Sequence, residues 1–273
     1  MSYKSILAHV PVSHDNSNIF AVSGQLAQMF DAQVIGISGV QLSRPFSELP
    51  LAVDTAQYER EAADKALKRV EQDFRAAFRA SNNRLSWRST CDFWPVAEFL
   101  AQEARAADLI VTSPEAGNFL ERLDEPHLGP LVLKAGRPIL VVPREHRQLK
   151  FDRVVVAWRD TREARRAVAD ALPLLKKAHS VSVIEVCSPA TVKEAHQRTV
   201  DVADWLKIHG VTAHGIAESS YPTDLAGLRA RLHKGCDLLV AGAYGHSRLR
   251  EWTFGGVTMD LLLPANHCTL VSH

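Results

Sequence analysis

The chain has 273 residues, and at about 150 residues per domain this length predicts two compact domains or one large one. Hydrophobic residues make up 46% and charged residues 23%, which is typical of a folded globular protein and excludes a disordered one. The formal net charge of +1 gives no basic surplus, so we expect neither nucleic acid nor a membrane surface as a partner. No apolar run approaches the roughly 20 residues that span a bilayer, and no signal-peptide core precedes the first strand, so we expect a cytoplasmic protein.

The first half alternates strand-like and helix-like segments, beginning with a short strand-like run at 3–8. Residues 41–50 are polar and marked by proline, and they predict a loop. Apolar residues at helical spacing then predict a long amphipathic helix: Ala63, Leu67, Val70, Phe74 and Phe78. We expect this helix to begin near Asp54 or Thr55. A second helix is predicted to begin at Pro95, because proline is favoured in the first turn of a helix.

The second half follows the same alternation. Strands are predicted at 153–158, 180–186, 211–216, 238–241 and 269–271, with helices at 163–177, 192–206 and 223–234. Pro173 is expected to kink the first of these helices or to remove a hydrogen bond from it, and Gly210 is expected to end the second. Strands separated by helices favour parallel βαβ units with right-handed crossovers.

An internal repeat relates the two halves. Three pairs of segments match, the last two pairs at one offset without a gap: Tyr3–Ala8 with Phe151–Val156, Ala107–Val111 with Cys236–Val240, and Pro138–Val142 with His267–Val271. Copies of this size indicate domain duplication, since solenoid repeats are much shorter. We therefore predict domains at 1–147 and 148–273, with a polar linker at 143–150.

A glycine-rich segment follows the predicted strand at 238–241. It reads GAYGHSR at 242–248 and continues with GGVT at 255–258, ahead of a probable helix. Open α/β sheets bind ligands at the carboxyl ends of their strands, and glycines there let backbone N–H groups approach phosphate oxygens. A helix N-terminus favours an anion, and Arg248 could add a charge-assisted contact. The alternative is a plain turn after a buried strand, because a G-x-x-G pair by itself is a weak signal.

The spacing of Gly242, Gly245 and Gly255 resembles the nucleotide-binding signature of the universal stress proteins in their tandem two-domain form. The resemblance implies two tandem open α/β sheets, each with five parallel strands and helices on both faces, as in the adenine nucleotide alpha hydrolase-like fold. It also implies that the second domain binds ATP, with or without Mg²⁺. Carried over by position, the nucleotide-binding residues are Ala157, Trp158, Arg159, Gly242, Gly245, His246, Ser247, Arg248, Gly255, Gly256, Val257 and Thr258.

Two positions of the second half depart from the family pattern. The residue after the first strand, where the family often has an aspartate that reads adenine, is Arg159, with Asp160 one step further on. The small hydroxyl residue expected after Gly255 is Gly256, which keeps its backbone N–H but offers no side-chain contact.

The first half departs much further. The positions of Gly242, Gly245, Gly255 and Gly256 correspond to Ser113, Ala116, Pro126 and His127. Proline has no N–H to offer a phosphate, and four acidic residues in this region would repel a polyphosphate: Glu115, Glu121, Asp124 and Glu125. We therefore predict that the first domain binds no nucleotide and serves as a packing partner.

The remaining candidate residues favour structural roles. The four cysteines form no C-x-x-C pair, so we expect reduced and mostly buried thiols. The twelve histidines show no metal-binding spacing, and we expect them on the surface or in loops, with His246 the exception. Trp158 is a candidate for stacking on a base, with a core or interface role as the alternative. The arginines at 162, 165 and 166 alternate with acidic residues and predict a solvated face.

Three functional hypotheses follow. The first is a stress-response protein that binds ATP in its second domain for signalling or storage, with slow or absent catalysis because no general base or obvious Mg²⁺ carboxylate is evident. The second is a scaffold whose two pockets are both vestigial. The third is a small-molecule binder or enzyme that uses the crevice between the duplicated domains. In all three we expect residues 139–142 to pair with residues 269–271, giving an internal pseudo-dimer and leaving a further homodimer open.

Overall fold

A computed structural model describes residues 2–43, 50–79, 84–114, 123–219, 235–243 and 267–273. The chain forms two compact units. The first unit is Tyr3–Gly136, and the second unit is Arg137–His273 together with residues 1–2. In the described ranges, no helix combines the length and apolar character needed to cross a membrane.

The first unit is a parallel sheet with helices packed on it. Its elements are β1 (Ser5–His9), α1 (Ser17–Phe30), β2 (Gln33–Gln41), α2 (Pro50–Ala77), β3 (Leu85–Asp92), α3 (Val96–Glu103), β4 (Leu109–Thr112) and α4 (Leu128–Ala135). The strand order is β3-β2-β1-β4, with all three pairings parallel. Every residue of β1 and β4 is buried, as expected for strands covered on both faces.

Helix α2 confirms the predicted apolar stripe but not the predicted start. The five residues of the stripe are at most 7% exposed: Ala63, Leu67, Val70, Phe74 and Phe78. The helix begins at Pro50 rather than near Asp54 or Thr55, so the predicted start was wrong. Proline fits the first turn of a helix, where its missing N–H has no partner to lose.

The second unit repeats this plan and adds one antiparallel strand. Its elements are β5 (Ile139–Val141), β6 (Arg153–Ala157), α5 (Arg162–Leu175), β7 (Ser180–Cys187), α6 (Val192–Ile208), β8 (Ala213–Ser219), β9 (Leu238–Gly242) and β10 (Cys268–Ser272). Five strands run parallel, as predicted, and the structure gives their order as β10-β9-β6-β7-β8. The helix predicted at 223–234 lies outside the described residues.

Strand β5 pairs with β10 in the antiparallel sense. Leu140 lies opposite Leu270, and both side chains are fully buried. This confirms the predicted pairing of residues 139–142 with residues 269–271.

Two residues of the second half were expected to disturb or end a helix, Pro173 and Gly210, and only Gly210 ends one. Pro173 lies inside α5, which nevertheless continues to Leu175. Gly210 follows the end of α6 with φ +81°, and its N–H donates to the Lys207 carbonyl over 2.9 Å. A left-handed glycine is a common way to end a helix, so the predicted stop is confirmed.

The repeat is visible in strand register. Ile6 of β1 lies opposite Leu109 of β4, and their counterparts Val154 and Leu238 lie opposite each other in the second unit. Extending this alignment by a few residues makes His9 equivalent to Ala157, Thr112 to Ala241 and Ser113 to Gly242. The two units can therefore be compared position by position at the carboxyl ends of their strands.

Candidate functional site

The candidate site lies at the carboxyl ends of β6 and β9, the central pair of the second unit's parallel strands. The chain runs from β6 outward to β8 in one direction and from β9 to β10 in the other, which makes this the point where strand order reverses. Ligands of open α/β sheets bind in the crevice at such a point. Small residues end both strands here: Ala157 pairs with Ala241, and Gly242 follows directly.

Gly242 allows the first turn of α5 to approach the end of β9. A Cβ atom at this position would lie 2.4 Å from the backbone nitrogen of Ala164 and 2.5 Å from the carbonyl carbon of Glu163. Both are main-chain atoms, so no change of side-chain rotamer could relieve the clash with an added Cβ. The described structure therefore gives Gly242 a packing role; its predicted contact with phosphate remains a prediction.

The first turn of α5 is fixed by its own polar groups. The Thr161 hydroxyl accepts the Ala164 N–H at 3.3 Å and caps the helix. Glu163 is 4% exposed and pairs with Arg162. Burial by itself would raise the pKa of the Glu163 carboxyl, but hydrogen bonds from Arg162, its own backbone N–H and Thr161 outweigh burial and lower it. A negative charge is thus held at the start of α5, where the helix dipole favours it.

The three predicted residues after β6 occupy different surroundings. Ala157 is half-buried, Trp158 is 8% exposed, and Arg159 is exposed. The Trp158 backbone N–H donates to the Ile184 carbonyl at 2.8 Å, while its buried indole Nε1 finds no hydrogen-bond partner among the described residues. This burial favours the core alternative for Trp158 over stacking on a base.

Asp160, the acidic residue nearest the predicted adenine position, is engaged by an arginine. Its carboxylate lies 2.5 Å from the Arg165 guanidinium, and both side chains are more than half exposed. The other two arginines of this turn also have carboxylate partners, Arg162 with Glu163 and Arg166 with Asp170. The basic residues of α5 thus form a solvated, charge-paired face, as the sequence predicted.

A part-buried ion pair between β7 and α6 was missed in the sequence analysis. Glu185 lies on β7 and Arg198 on α6, joined by two hydrogen bonds of 2.5 and 3.1 Å. The Glu185 side chain is 9% exposed and that of Arg198 is 34% exposed. These hydrogen bonds raise the pKa of Arg198 above its usual value. A glutamate within the apolar run of β7 was the available sequence signal.

Replacing Arg198 by methionine is expected to lower the free energy of unfolding by about 1–3 kcal/mol, because it leaves the Glu185 carboxylate buried without its partner. The double variant Glu185→Leu/Arg198→Met removes both charges and should recover most of the loss. Urea denaturation of the two variants beside the wild type gives the comparison. Equal stability of the single variant and the wild type would contradict the expectation.

The remaining predicted residues belong to the glycine-rich segment after β9. Gly245, His246, Ser247, Arg248, Gly255, Gly256, Val257 and Thr258 lie outside the described residues. Their assignment as nucleotide contacts therefore rests on the sequence.

The first unit fills the equivalent strand ends with polar side chains. His9 is 1% exposed, and its Nδ1 lies 3.0 Å from the Thr112 hydroxyl. The Asn18 amide donates to the Ser113 hydroxyl at 3.0 Å. Burial lowers the pKa of His9 to about 4, against the opposing effects of the Asp124 charge and backbone. The expectation that histidines outside the glycine loop lie on the surface or in loops was wrong for His9, which lies inside a strand. The internal repeat could have indicated this difference, because His9 and Thr112 occupy positions at which the second half has alanine.

All four cysteines are free thiols. Cys236 and Cys268 are buried, whereas Cys91 and Cys187 are partly exposed. Burial raises the pKa of Cys236 and of Cys268 to about 12, which keeps both as neutral thiols at physiological pH. Within the described part of the chain, no three histidine, cysteine or acidic residues are grouped as a metal site.

Comparison with known proteins supports the fold through structure rather than sequence. Neither the family models nor the curated proteins contain a match to this chain. A universal stress protein from Archaeoglobus fulgidus DSM 4304 superimposes with a TM-score of 0.69 at 17% identity, covering 98% of this chain and 97% of that one. A protein from Pseudomonas aeruginosa UCBPP-PA14, named as a candidate universal stress protein, gives 0.64 at 14% identity, covering 99% and 93%. A protein of unknown function from P. aeruginosa PAO1 gives 0.60 at 15% identity, covering 99% and 92%.

These likenesses cover essentially the whole chain and both units. The chain therefore has the duplicated α/β fold of the universal stress proteins, as the glycine spacing and the repeat predicted.

Proposed function

We propose that the second unit binds an adenine nucleotide, ATP with or without Mg²⁺, at the carboxyl ends of β6 and β9. Binding would serve signalling or storage in a stress response, in the cytoplasm, with little or no turnover. The observation that carries the proposal is the contrast between the two units: small residues end the strands in the second, whereas hydrogen-bonded polar side chains fill the same positions in the first.

The strand ends of the second unit carry small side chains. Ala157 lies opposite Ala241, and neither places a bulky or hydrogen-bonding side chain at the carboxyl end of its strand. The glycine-rich sequence that follows β9 supplies backbone N–H groups without Cβ atoms in the way. Phosphate oxygens would lie against these N–H groups, with Arg248 as the cationic partner.

Two described acidic side chains near the start of α5 support low turnover. Asp160 is paired with Arg165, and Glu163 with Arg162. A carboxylate committed to an arginine is a poor general base and a poor ligand for Mg²⁺. Holding the nucleotide rather than cleaving it is the function these side chains favour.

A scaffold without nucleotide is the second candidate, and Arg159 favours it. The exposed guanidinium stands where the family often has an acid that reads adenine, and the neighbouring Trp158 is buried. In this case the protein would act through its surfaces, with both crevices closed to ligands.

Calorimetry with ATP and Mg²⁺ separates the two candidates. For nucleotide binding we expect a dissociation constant below about 1 mM, and a loss of at least about tenfold in Gly245→Val, whose side chain obstructs the phosphate loop. The matched control is Ala116→Val, the equivalent position of the first half. It should bind ATP as the wild type does. Affinity weaker than millimolar, with no nucleotide retained through purification, would favour the scaffold.

A further inference from the structure

Strand β3 of the first unit has an open edge. It lies at one end of the strand order, and among the described residues β2 is the one strand that pairs with it. It is eight residues long, Leu85–Asp92, and contains neither proline nor lysine. Edge strands that avoid pairing are usually very short or carry proline or lysine. Since β3 has none of these features, its outer edge is able to accept another strand.

The backbone of β3 directs hydrogen-bonding groups toward this edge. The Arg84 carbonyl accepts the Val34 N–H at 2.9 Å, and the Asp92 carbonyl accepts the Leu42 N–H at 2.8 Å. Even-numbered residues therefore direct their N–H and C=O groups toward β2. Because the direction of these groups alternates along a strand, those of the odd-numbered residues point outward. The outward residues are Leu85, Trp87, Ser89 and Cys91.

The side chains of β3 include a cation and an anion on one face. Arg88 is 33% exposed and shares the Glu103 carboxylate with Arg105. Asp92 is exposed, and within the described part of the chain its carboxylate forms no ion pair; one oxygen accepts the Phe93 N–H at 2.6 Å. Arg88 and Asp92 lie on the same face of the strand, since side chains alternate between faces. The strand therefore presents opposite charges four positions apart.

This arrangement of charges is complementary to itself. Two copies of the chain related by a two-fold axis bring their β3 strands together in the antiparallel sense. With the axis at Thr90, Arg88 lies opposite the second copy's Asp92, and Ser89 lies opposite its Cys91. An axis at Ser89 would place Arg88 opposite a threonine, and an axis at Arg88 would place the two arginines opposite each other. Opposite charges across an antiparallel pair stabilise it and like charges destabilise it, which favours the axis at Thr90.

An exposed aromatic residue lies beside the same edge. Trp94 follows the end of β3 by two residues and is 65% exposed. Tryptophan is buried in most proteins and is enriched at protein–protein interfaces. With the axis at Thr90, position 94 lies level with Ser86 of the second copy. Association of two copies therefore brings a second strand beside Trp94.

We propose that two copies of this chain associate through their β3 edges, antiparallel and with the two-fold axis at Thr90. The outward backbone groups of Ser89 and Cys91 supply hydrogen bonds between the copies, and symmetry forms the pair of Arg88 and Asp92 twice. A strand edge buries less area than the roughly 1,200–2,000 Å² of a stable interface, so the dimer is reversible and depends on concentration. The association involves the first unit and does not depend on nucleotide binding in the second.

Disulfide crosslinking tests the register on the full-length protein. The test variant is Thr90→Cys in a background of Cys91→Ser and Cys187→Ser, which removes the two partly exposed thiols. Residues directly opposite at a non-hydrogen-bonded position of an antiparallel pair have Cα atoms about 4.5 Å apart, within the range that a disulfide bridges. Mild oxidation should therefore give a covalent dimer on a non-reducing gel.

Ser86→Cys in the same background is the matched control. Ser86 is exposed on the same face of β3. Because position 86 lies level with position 94 of the second copy, the two copies of residue 86 are eight positions apart, or about 27 Å. We expect Thr90→Cys to crosslink at least about tenfold faster than Ser86→Cys, which is too distant for a disulfide. Equal rates would indicate random collision and would overturn the proposal, as would no crosslinking of Thr90→Cys.

Sedimentation equilibrium of charge variants tests the ion pairs independently. Asp92→Arg places an arginine opposite Arg88 of the second copy, and it should weaken the dimer by about tenfold. The double variant Arg88→Asp/Asp92→Arg restores opposite charges across the axis and should recover most of the affinity. Glu103 keeps Arg105 as a partner in this double variant.

Glu194→Arg is the control for net charge. Glu194 is exposed on α6 in the second unit, and its replacement changes the charge as Asp92→Arg does. This variant should dimerise as the wild type does. A wild-type protein that stays monomeric at every concentration, or an Asp92→Arg variant with wild-type dimer affinity, would contradict the proposal.

Discussion

Replacing Phe74 by alanine is expected to lower the free energy of unfolding of the first unit by about 3–5 kcal/mol. Phe74 lies on α2 and is fully buried. Its ring lies 5.0 Å from that of Phe78, 5.4 Å from that of Trp87 and 6.2 Å from that of Phe20, measured between centroids. Removing the ring therefore opens a cavity where α1, α2 and β3 meet, in a core too tightly packed to collapse around it.

The control for this variant lies on the same helix. Tyr58 is 75% exposed, so Tyr58→Ala should change stability by less than about 0.5 kcal/mol. Hydrogen exchange of the β2 and β3 amides in increasing urea reports on the first unit alone, which avoids assuming that the whole chain unfolds in one step. A loss below about 1 kcal/mol in Phe74→Ala would show that the ring cluster contributes little to this core.

The apolar face of α2 was predictable because its signal is local. Its residues recur at helical spacing, and the strands are short runs of apolar residues bounded by turns. The start of α2 was not predictable in the same way. Asp54 is a good capping residue and Pro50 a good first-turn residue, and sequence preference alone does not choose between two acceptable starts.

The contacts at the strand ends depend on distant parts of the chain. His9 meets Thr112 across 103 positions and Ser13 meets Asp124 across 111. No local pattern reveals such contacts. The repeat could have done so, because aligning the halves places polar residues of one against alanine and glycine of the other.

The two units thus share a register but differ in what their strand ends carry. Where the second has Ala157 and Ala241, the first has His9 and Thr112 bonded to each other. Hydrogen-bonded side chains thus occupy the strand ends of the first unit, where the second unit has small ones. The prediction that the first domain binds no nucleotide therefore acquires a physical reason beyond Pro126 and the local negative charge.

Gly242→Ala is expected to destabilise the second unit by about 3 kcal/mol, at the upper end of the usual cost of overpacking. The added Cβ would lie 2.4–2.8 Å from three atoms of the α5 backbone, the Glu163 carbonyl carbon and the Ala164 nitrogen and Cα. Because none of these atoms belongs to a flexible side chain, the strain must displace the first turn of α5. That turn contains the Thr161 cap and the buried Glu163, so displacement also weakens their hydrogen bonds.

Gly24→Ala provides the matched comparison. Gly24 lies within α1, and a Cβ there would make an ordinary contact of 3.5 Å with the Phe78 ring. Alanine is favoured over glycine inside a helix, so this variant should be as stable as the wild type or more stable by up to about 1 kcal/mol. Urea denaturation of both variants measures the difference, with hydrogen exchange of the β6 and β9 amides assigning the loss to the second unit. If Gly242→Ala unfolds at the wild-type urea concentration, close packing does not require glycine at this position, and the phosphate contact predicted for Gly242 becomes its better explanation.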